Sequence, residues 1–293
     1  MKRYQPSLGR RMRRVRTGAA LLLGVMASFV GVTARAQNEA DMYRAARAQF
    51  KARHYVKAIM ILKKIVAADP RNHNAVTLLA HSLRRTGHCD QAMPYYHKIL
   101  RIFPRRSDLW NNLGVCAFRL RHYDQAVTAF KKVLASEPKK RDVLRSLYLV
   151  YRFQKKYKEA LAVVDRAAKF FPKDVDWVAA RGEILSRLKR HREAIEVLRK
   201  AVGMAPRNAD LHYRLGLVLR RAKLYKDAVV QYRKVVSLRP GFAPAYSELG
   251  TLLAYMGAKK EAAAMYRKYL GFIASSRPKE AAWVRKRIQE LTK

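Results

Sequence analysis

Six prolines, Pro70, Pro104, Pro138, Pro172, Pro206 and Pro240, stand 34 residues apart, and seven alanines, Ala58, Ala92, Ala126, Ala160, Ala194, Ala228 and Ala262, keep the same step. A spacing held over that length comes from one structural unit copied along the chain, so the fold of the copy decides the fold of the whole. The clearest copy runs from Ser107 to Lys140. Its first half places Leu109, Trp110, Leu113, Val115, Ala117 and Leu120 in a broad apolar stripe at helical spacing. After a polar break at Arg121, His122, Tyr123 and Asp124, the second half does the same with Ala126, Val127, Ala129, Phe130, Val133 and Leu134. Asp124 stands where it would cap this second helix. Pro138 lacks an amide proton and disfavours helix in the residue before it, so the helix ends near Glu137. An alanine at one point of every second helix marks a close approach of two helix backbones.

One helix pair cannot bury its apolar face alone, so the copies must stack into a solenoid in which each touches its neighbours. Paired helices at this step, with Trp110, Leu113, Gly114, Ala126, Phe130 and Pro138 meeting a W-x2-L-G, A, F, P pattern, resemble the tetratricopeptide repeat. The resemblance covers Glu39 to about Ser276. It implies an all-α, right-handed solenoid of seven helix-turn-helix repeats, at 39–72, 73–106, 107–140, 141–174, 175–208, 209–242 and 243–276. The first repeat is the least typical, with Ala45, Ala46 and Gln49 where larger apolar residues would help, as suits an end unit. Pro94 removes an amide donor near the start of a second helix, weakening its first turn. Residues 277–293 read as a C-terminal capping helix, with Pro278 at its start, Ala281, Val284, Ile288 and Leu291 on one side and a charged outer face.

Charge is the anomaly. Lysine and arginine number 63 against 21 acidic residues, a net charge of +42, so acidic partners are attracted and the chain repels itself. The 50% apolar content excludes a mainly disordered chain. Residues 1–36 have the order of an export signal: a basic stretch to Gly18, an uncharged run from Ala19 to Val32, then Ala34-Arg35-Ala36. Cleavage after Ala36 would leave a periplasmic or secreted protein with no stable membrane span. The alternative is an uncleaved anchor, against which the 14-residue run is short of the roughly 20 that cross a bilayer. The segment carries eight basic groups and no acid, so the rest of the chain is strongly basic without it.

The basic residues fall in rows. Lys64, Lys98, Lys132, Arg166, Lys200, Lys234 and Lys268 recur near the ends of the second helices, where a cation complements the helix dipole. A second set, Lys51, Arg84, Arg85, Arg119, Arg152, Arg187, Arg220 and Arg221, lies near the ends of the first helices. The dipole serves these too, but the family resemblance implies that much of this surface lines a concave groove that holds a partner. Tyr43, Phe50, Phe118, Phe153 and Tyr213 occupy related positions. Cations interleaved with aromatics suit an acidic peptide, an anionic sugar chain or single-stranded nucleic acid. Asp108, Asp142, Asp176 and Asp210, at the starts of first helices, read as caps and dipole partners. Some members of the family grip the C-terminal carboxylate of cytosolic chaperones. The matching positions here hold Tyr43, Arg47 and Leu78, and Asn112 alone fits, so a chaperone clamp is not expected.

Nothing points to chemistry. His54, His88 and His122 are one repeat apart, but helices pack about 8 to 10 Å apart and zinc ligands lie about 2 Å from their ion, so they read as turn residues. Without a metal-ligand pair, a phosphate-binding glycine loop or a nucleophile elbow, neither enzyme activity, metal nor cofactor is expected. Cys89 and Cys116 are expected to stay unpaired and buried, because counting from the intervening turn offsets them by about 7.5 Å along the helices. Two functions remain open. One is a scaffold of the bacterial cell envelope that binds an acidic segment of another envelope protein. The other is a direct binder of an anionic polymer, whether lipopolysaccharide, acidic polysaccharide or, less well supported, nucleic acid. A third reading, in which the organism makes all its exported proteins this basic, gives the charge no partner.

Overall fold

In every turn between paired helices one residue enters the left-handed region, and it keeps the repeat step: Arg53 (φ 61°), Gly87 (89°), Arg121 (61°), Lys155 (57°), Lys189 (62°), Lys223 (62°) and Gly257 (81°). The next amide bonds back to a carbonyl five residues earlier, as His122 N–H does to Ala117 O (2.8 Å) and Leu224 N–H to Leu219 O (2.9 Å). This closure ends one helix and starts the next within three residues. Glycine takes that conformation freely, whereas each basic residue there carries a strain of about 1–2 kcal/mol.

A computed structural model describes residues 37–293, so the expected export segment lies outside the described residues. The helices are α1 (37–51), α2 (Tyr55–Ala68), α3 (His73–Arg85), α4 (Cys89–Ile102), α5 (Ser107–Arg119), α6 (Tyr123–Ser136), α7 (Arg141–Phe153) and α8 (Tyr157–Phe170). There follow α9 (Val175–Arg187), α10 (His191–Met204), α11 (Ala209–Arg221), α12 (Tyr225–Leu238), α13 (Ala243–Tyr255), α14 (Lys259–Ile273) and α15 (Pro278–Thr292). The described residues contain no strand, and none of their helices is long and apolar enough to cross a membrane. They divide into two compact units, one running to Val133 and the other from Leu134 to Lys293.

Within each unit helices pack on their chain neighbours, α3 on α2 and α4 in the first and, in the second, α11 on α10 and α12, with added contact between α9 and α11. That is the stacked-pair architecture of a helical repeat. All seven repeating alanines are fully buried. Small residues on the first helices are equally constrained. A Cβ built on Gly114 would lie 2.7 Å from the Phe130 ring, one on Gly182 2.5 Å from Leu198, and one on Gly216 2.6 Å from the Tyr232 ring. The second unit ends under α15, whose Ala281, Val284 and Leu291 are buried in the core with Ile288 packed partly against it, as the sequence pattern indicates.

Three local expectations are corrected. Asp124, Asp108, Asp142, Asp176 and Asp210 lie inside the first turns, where they complement the helix dipole, and are not N-caps; the flanking positions before α5, α7, α9 and α11 hold Arg106, Lys140, Asp174 and Asn208. Two members of the row at the second helices bond away from their own helix ends. Lys98 Nζ donates to Pro70 O (2.7 Å) and Arg166 to Leu134 O (3.4 Å), so these cations meet carbonyls of the preceding repeat. Cys89 and Cys116 are buried and free, as expected, but the counted offset overstates their separation. After burial, the Cys89 thiol is the next cause that holds the Cys116 pKa high, which makes the two thiols neighbours.

Candidate functional site

Adjacent residues on a helix project about 100° apart, and this separates the flagged basic set into two registers. Lys51, Arg85, Arg119, Arg187 and Arg221 share one and are exposed; Arg84, Arg152 and Arg220, each one residue earlier in the repeat, share the other and are half-buried. Two of the half-buried register are engaged with carboxylates. Arg152 meets Glu183 (3.2 Å) and Arg220 meets Glu248 (3.2 Å).

In the first unit the flagged residues make local contacts. Arg119 donates to Arg84 O at 3.3 Å, Phe50 packs edge-on against Tyr55 at 5.3 Å, and Phe118 tilts against Tyr123 at 6.0 Å. Tyr43 is half-buried, and Lys51 and Arg85 are exposed. Asn112 donates its amide to His81 Nε2 (3.1 Å), which gives it a role in joining two successive repeats.

The second unit brings a site together. The facing sides of α7, α9 and α11 enclose a groove of about 580 Å³. From α7 come Arg141, Arg145, Tyr148 and Arg152; from α9, Asp176, Trp177, Glu183 and Arg187; from α11, Asp210, Tyr213, Arg214 and Arg221. Of the flagged residues, Arg152, Arg187, Tyr213 and Arg221 are on its walls, while Phe153 and Arg220 are not. Phe153 is 55% exposed beneath the Arg152 guanidinium, 5.6 Å from its ring centre. Sequence reasoning missed Arg145, Glu183 and Arg214. The signal for Arg145 was present, since it holds the same repeat position as Tyr43 and Tyr213.

The acids of the groove all have partners. Asp176 lies 3.5 Å from Arg141, whose shorter contact is to Asp174 (2.6 Å), and Asp210 pairs with Arg239 (3.0 Å). Glu183 takes Arg152 on one side and Arg214 on the other, at 3.2 and 2.6 Å. Arg145, Arg187 and Arg221 have no carboxylate partner among the described residues; Arg221 donates to Ser186 Oγ (3.1 Å). Burial, then the charges of Arg187 and Arg220, hold the Arg221 pKa below its ordinary value, with Glu183 opposing them. The walls between them are aromatic. Tyr148 and Trp177, 6% and 3% exposed, meet edge to face at 6.3 Å, and Arg152 lies over the Tyr148 ring. Tyr213 stands edge-on to Phe242 at 5.0 Å. Tyr148 and Trp177 are therefore a buried backing, and the ring left to meet a ligand is the half-buried Tyr213, beside cations that hold an anion by charge-assisted hydrogen bonds. No group of three or more metal-ligating side chains occurs among the described residues.

Comparison with known proteins places this geometry. The family described as Tetratricopeptide repeat matches residues 117–175 and 179–245, and the one described as Anaphase-promoting complex, cyclosome, subunit 3 matches 51–133. No curated protein matches. Among solved structures, the C-terminal part of a TPR repeat-containing protein from Cytophaga hutchinsonii aligns with TM-score 0.67 at 15% identity, over 83% of this chain and 98% of that one. A tetratricopeptide repeat protein from Parabacteroides merdae aligns with TM-score 0.60 at 16% identity, over 88% and 100%. MamA from Desulfovibrio magneticus aligns with TM-score 0.53 at 22% identity, over 58% and 97%. With the family model on two stretches of it and stacked helix pairs throughout both units, the chain belongs to the tetratricopeptide-repeat family.

Proposed function

We propose that this protein is a non-enzymatic protein-interaction scaffold of the bacterial cell envelope, exported by residues 1–36, that binds an acidic segment of a partner protein in the groove of its second unit. The observation that carries this reading is the set of three arginines, Arg145, Arg187 and Arg221, without a carboxylate partner among the described residues beside the Tyr148, Trp177 and Tyr213 walls. Three exposed positive charges beside the half-buried Tyr213 ring match a chain that alternates carboxylates with apolar or aromatic side chains. A polymer of bare negative charge would use the cations and leave the Tyr213 ring idle.

The test compares two triple variants that remove equal charge. Arg145, Arg187 and Arg221 changed to glutamate should weaken binding of an acidic, tyrosine-containing peptide by at least about tenfold, since charged contacts of this kind govern dissociation. The same change at Lys200, Lys234 and Lys268, exposed on the second helices, should do little. Equal losses with a steep dependence on salt would overturn the groove and favour the anionic-polymer binder. N-terminal sequencing of the protein recovered from cells tests export: a first residue of Gln37 is expected, and an intact residue 1 in membrane-extracted protein refutes it.

A further inference from the structure

We infer that Glu183 is an internal occupant of the groove, holding between Arg152 and Arg214 the place that a carboxylate of the partner segment takes over. This rests on the groove reading above and deepens it, because it makes Glu183 the residue that sets how much a second acidic group of the segment adds. Glu183 is the groove acid bound from both sides. Its two oxygens reach back to α7 through Arg152 (3.2 Å) and forward to α11 through Arg214 (2.6 Å), so one carboxylate bridges three successive first helices across the groove wall. The same repeat position on α7 and α11 carries Leu149 and Leu217, which also line the groove. An acid therefore interrupts an apolar line at its midpoint.

The bridge is poorly suited to a purely structural role. Its side chains are 34%, 19% and 42% exposed for Arg152, Glu183 and Arg214, a range in which ion pairs add little to stability. It is well suited to exchange. The arginines are already oriented and partly desolvated by Glu183, so an incoming carboxylate finds a formed site and makes the same bonds that it displaces. Arg145, Arg187 and Arg221 take a first acidic group without competition. A second must displace Glu183, so the first carboxylate of a segment gains most and a further one gains only its advantage over Glu183.

The test uses the full chain and fluorescein-labelled hexaglutamate, with hexaglutamine as the uncharged probe. Glu183→Gln and Glu183→Leu, the latter matching Leu149 and Leu217, should each tighten hexaglutamate binding by about tenfold and leave hexaglutamine unchanged. Glu261→Gln, which frees the exposed Arg233 outside the groove, removes the same charge and should change affinity by less than about twofold. Equal gains from Glu183→Gln and Glu261→Gln would reduce the effect to net charge and overturn the inference. Unchanged or weaker binding by both Glu183 variants would also overturn it, by making Glu183 a support for the arginines. The groove reading is tested separately: hexaglutamate binding that survives Arg187→Glu with Arg221→Glu would refute that reading whatever the Glu183 variants do.

Discussion

Burial holds His81 in its neutral form, lowering its pKa from 6.5 to about 4, with Arg84, Arg106 and Arg85 adding to the effect and Asp108 opposing it. The Asn112 amide donated to Nε2 needs that neutral ring as acceptor. In the unfolded chain the imidazole binds a proton near pH 6.5, and in the folded protein only near 4, so the unfolded state gains protons first on acidification. The stabilisation is complete above about pH 6.5 and is lost as pH falls toward 4, a change of roughly 3 kcal/mol. Thermal melts between pH 7 and 4.5 should show this loss. In His81→Leu the acid limb should be flatter, and an unchanged limb would assign the sensitivity elsewhere.

At the level of the helix pair, packing is set by a reciprocal choice of size. Where α5, α9, α11 and α13 carry Gly114, Gly182, Gly216 and Gly250, the residue 16 positions on is large: Phe130, Leu198, Tyr232 or Tyr266. In the α7–α8 pair the order is inverted, with Tyr148 followed by Val164, and it is Tyr148 that lines the groove. Gly216→Ala should therefore destabilise the protein by about 1–3 kcal/mol, because the new methyl must displace the buried Tyr232 ring. Gly241→Ala, where nothing lies within 4 Å, should change stability by less than about 0.5 kcal/mol. Urea denaturation of both variants decides this, and equal effects would show that glycine is kept there for the backbone alone.

For the molecule as a whole, a charge of +42 on 293 residues means that repulsion opposes folding at low ionic strength. Some of that charge is offset locally: Arg141, Arg190, Arg199, Arg233 and Arg239 each have a carboxylate within 4 Å. With 63 cations to 21 acids most cannot. Calorimetry in sodium chloride from 20 to 300 mM should show the melting temperature rising by a few degrees as screening shortens to about 6 Å. A flat or falling melting temperature would mean that the exposed pairs lost to screening matter more than the repulsion.

The 34-residue step, the paired helices, the stops at proline and the cap formed by α15 were all determined by the order of residues, because each rests on chemistry confined to a few neighbours in the chain. A proline without its amide proton ends a helix wherever it stands, and an apolar stripe at helical spacing must be covered by the next copy. The row of cations was legible in the same way. Which of those cations remain uncompensated was not. Arg152 and Arg214 are satisfied by Glu183, 31 residues away on either side, and Arg220 by Glu248, while Arg187 and Arg221 have no such partner. That difference depends on helix rotation between neighbouring repeats and on a step of about 100° between adjacent residues. Only the folded second unit sets those angles, and with them it turns a periodic run of positive charge into one groove.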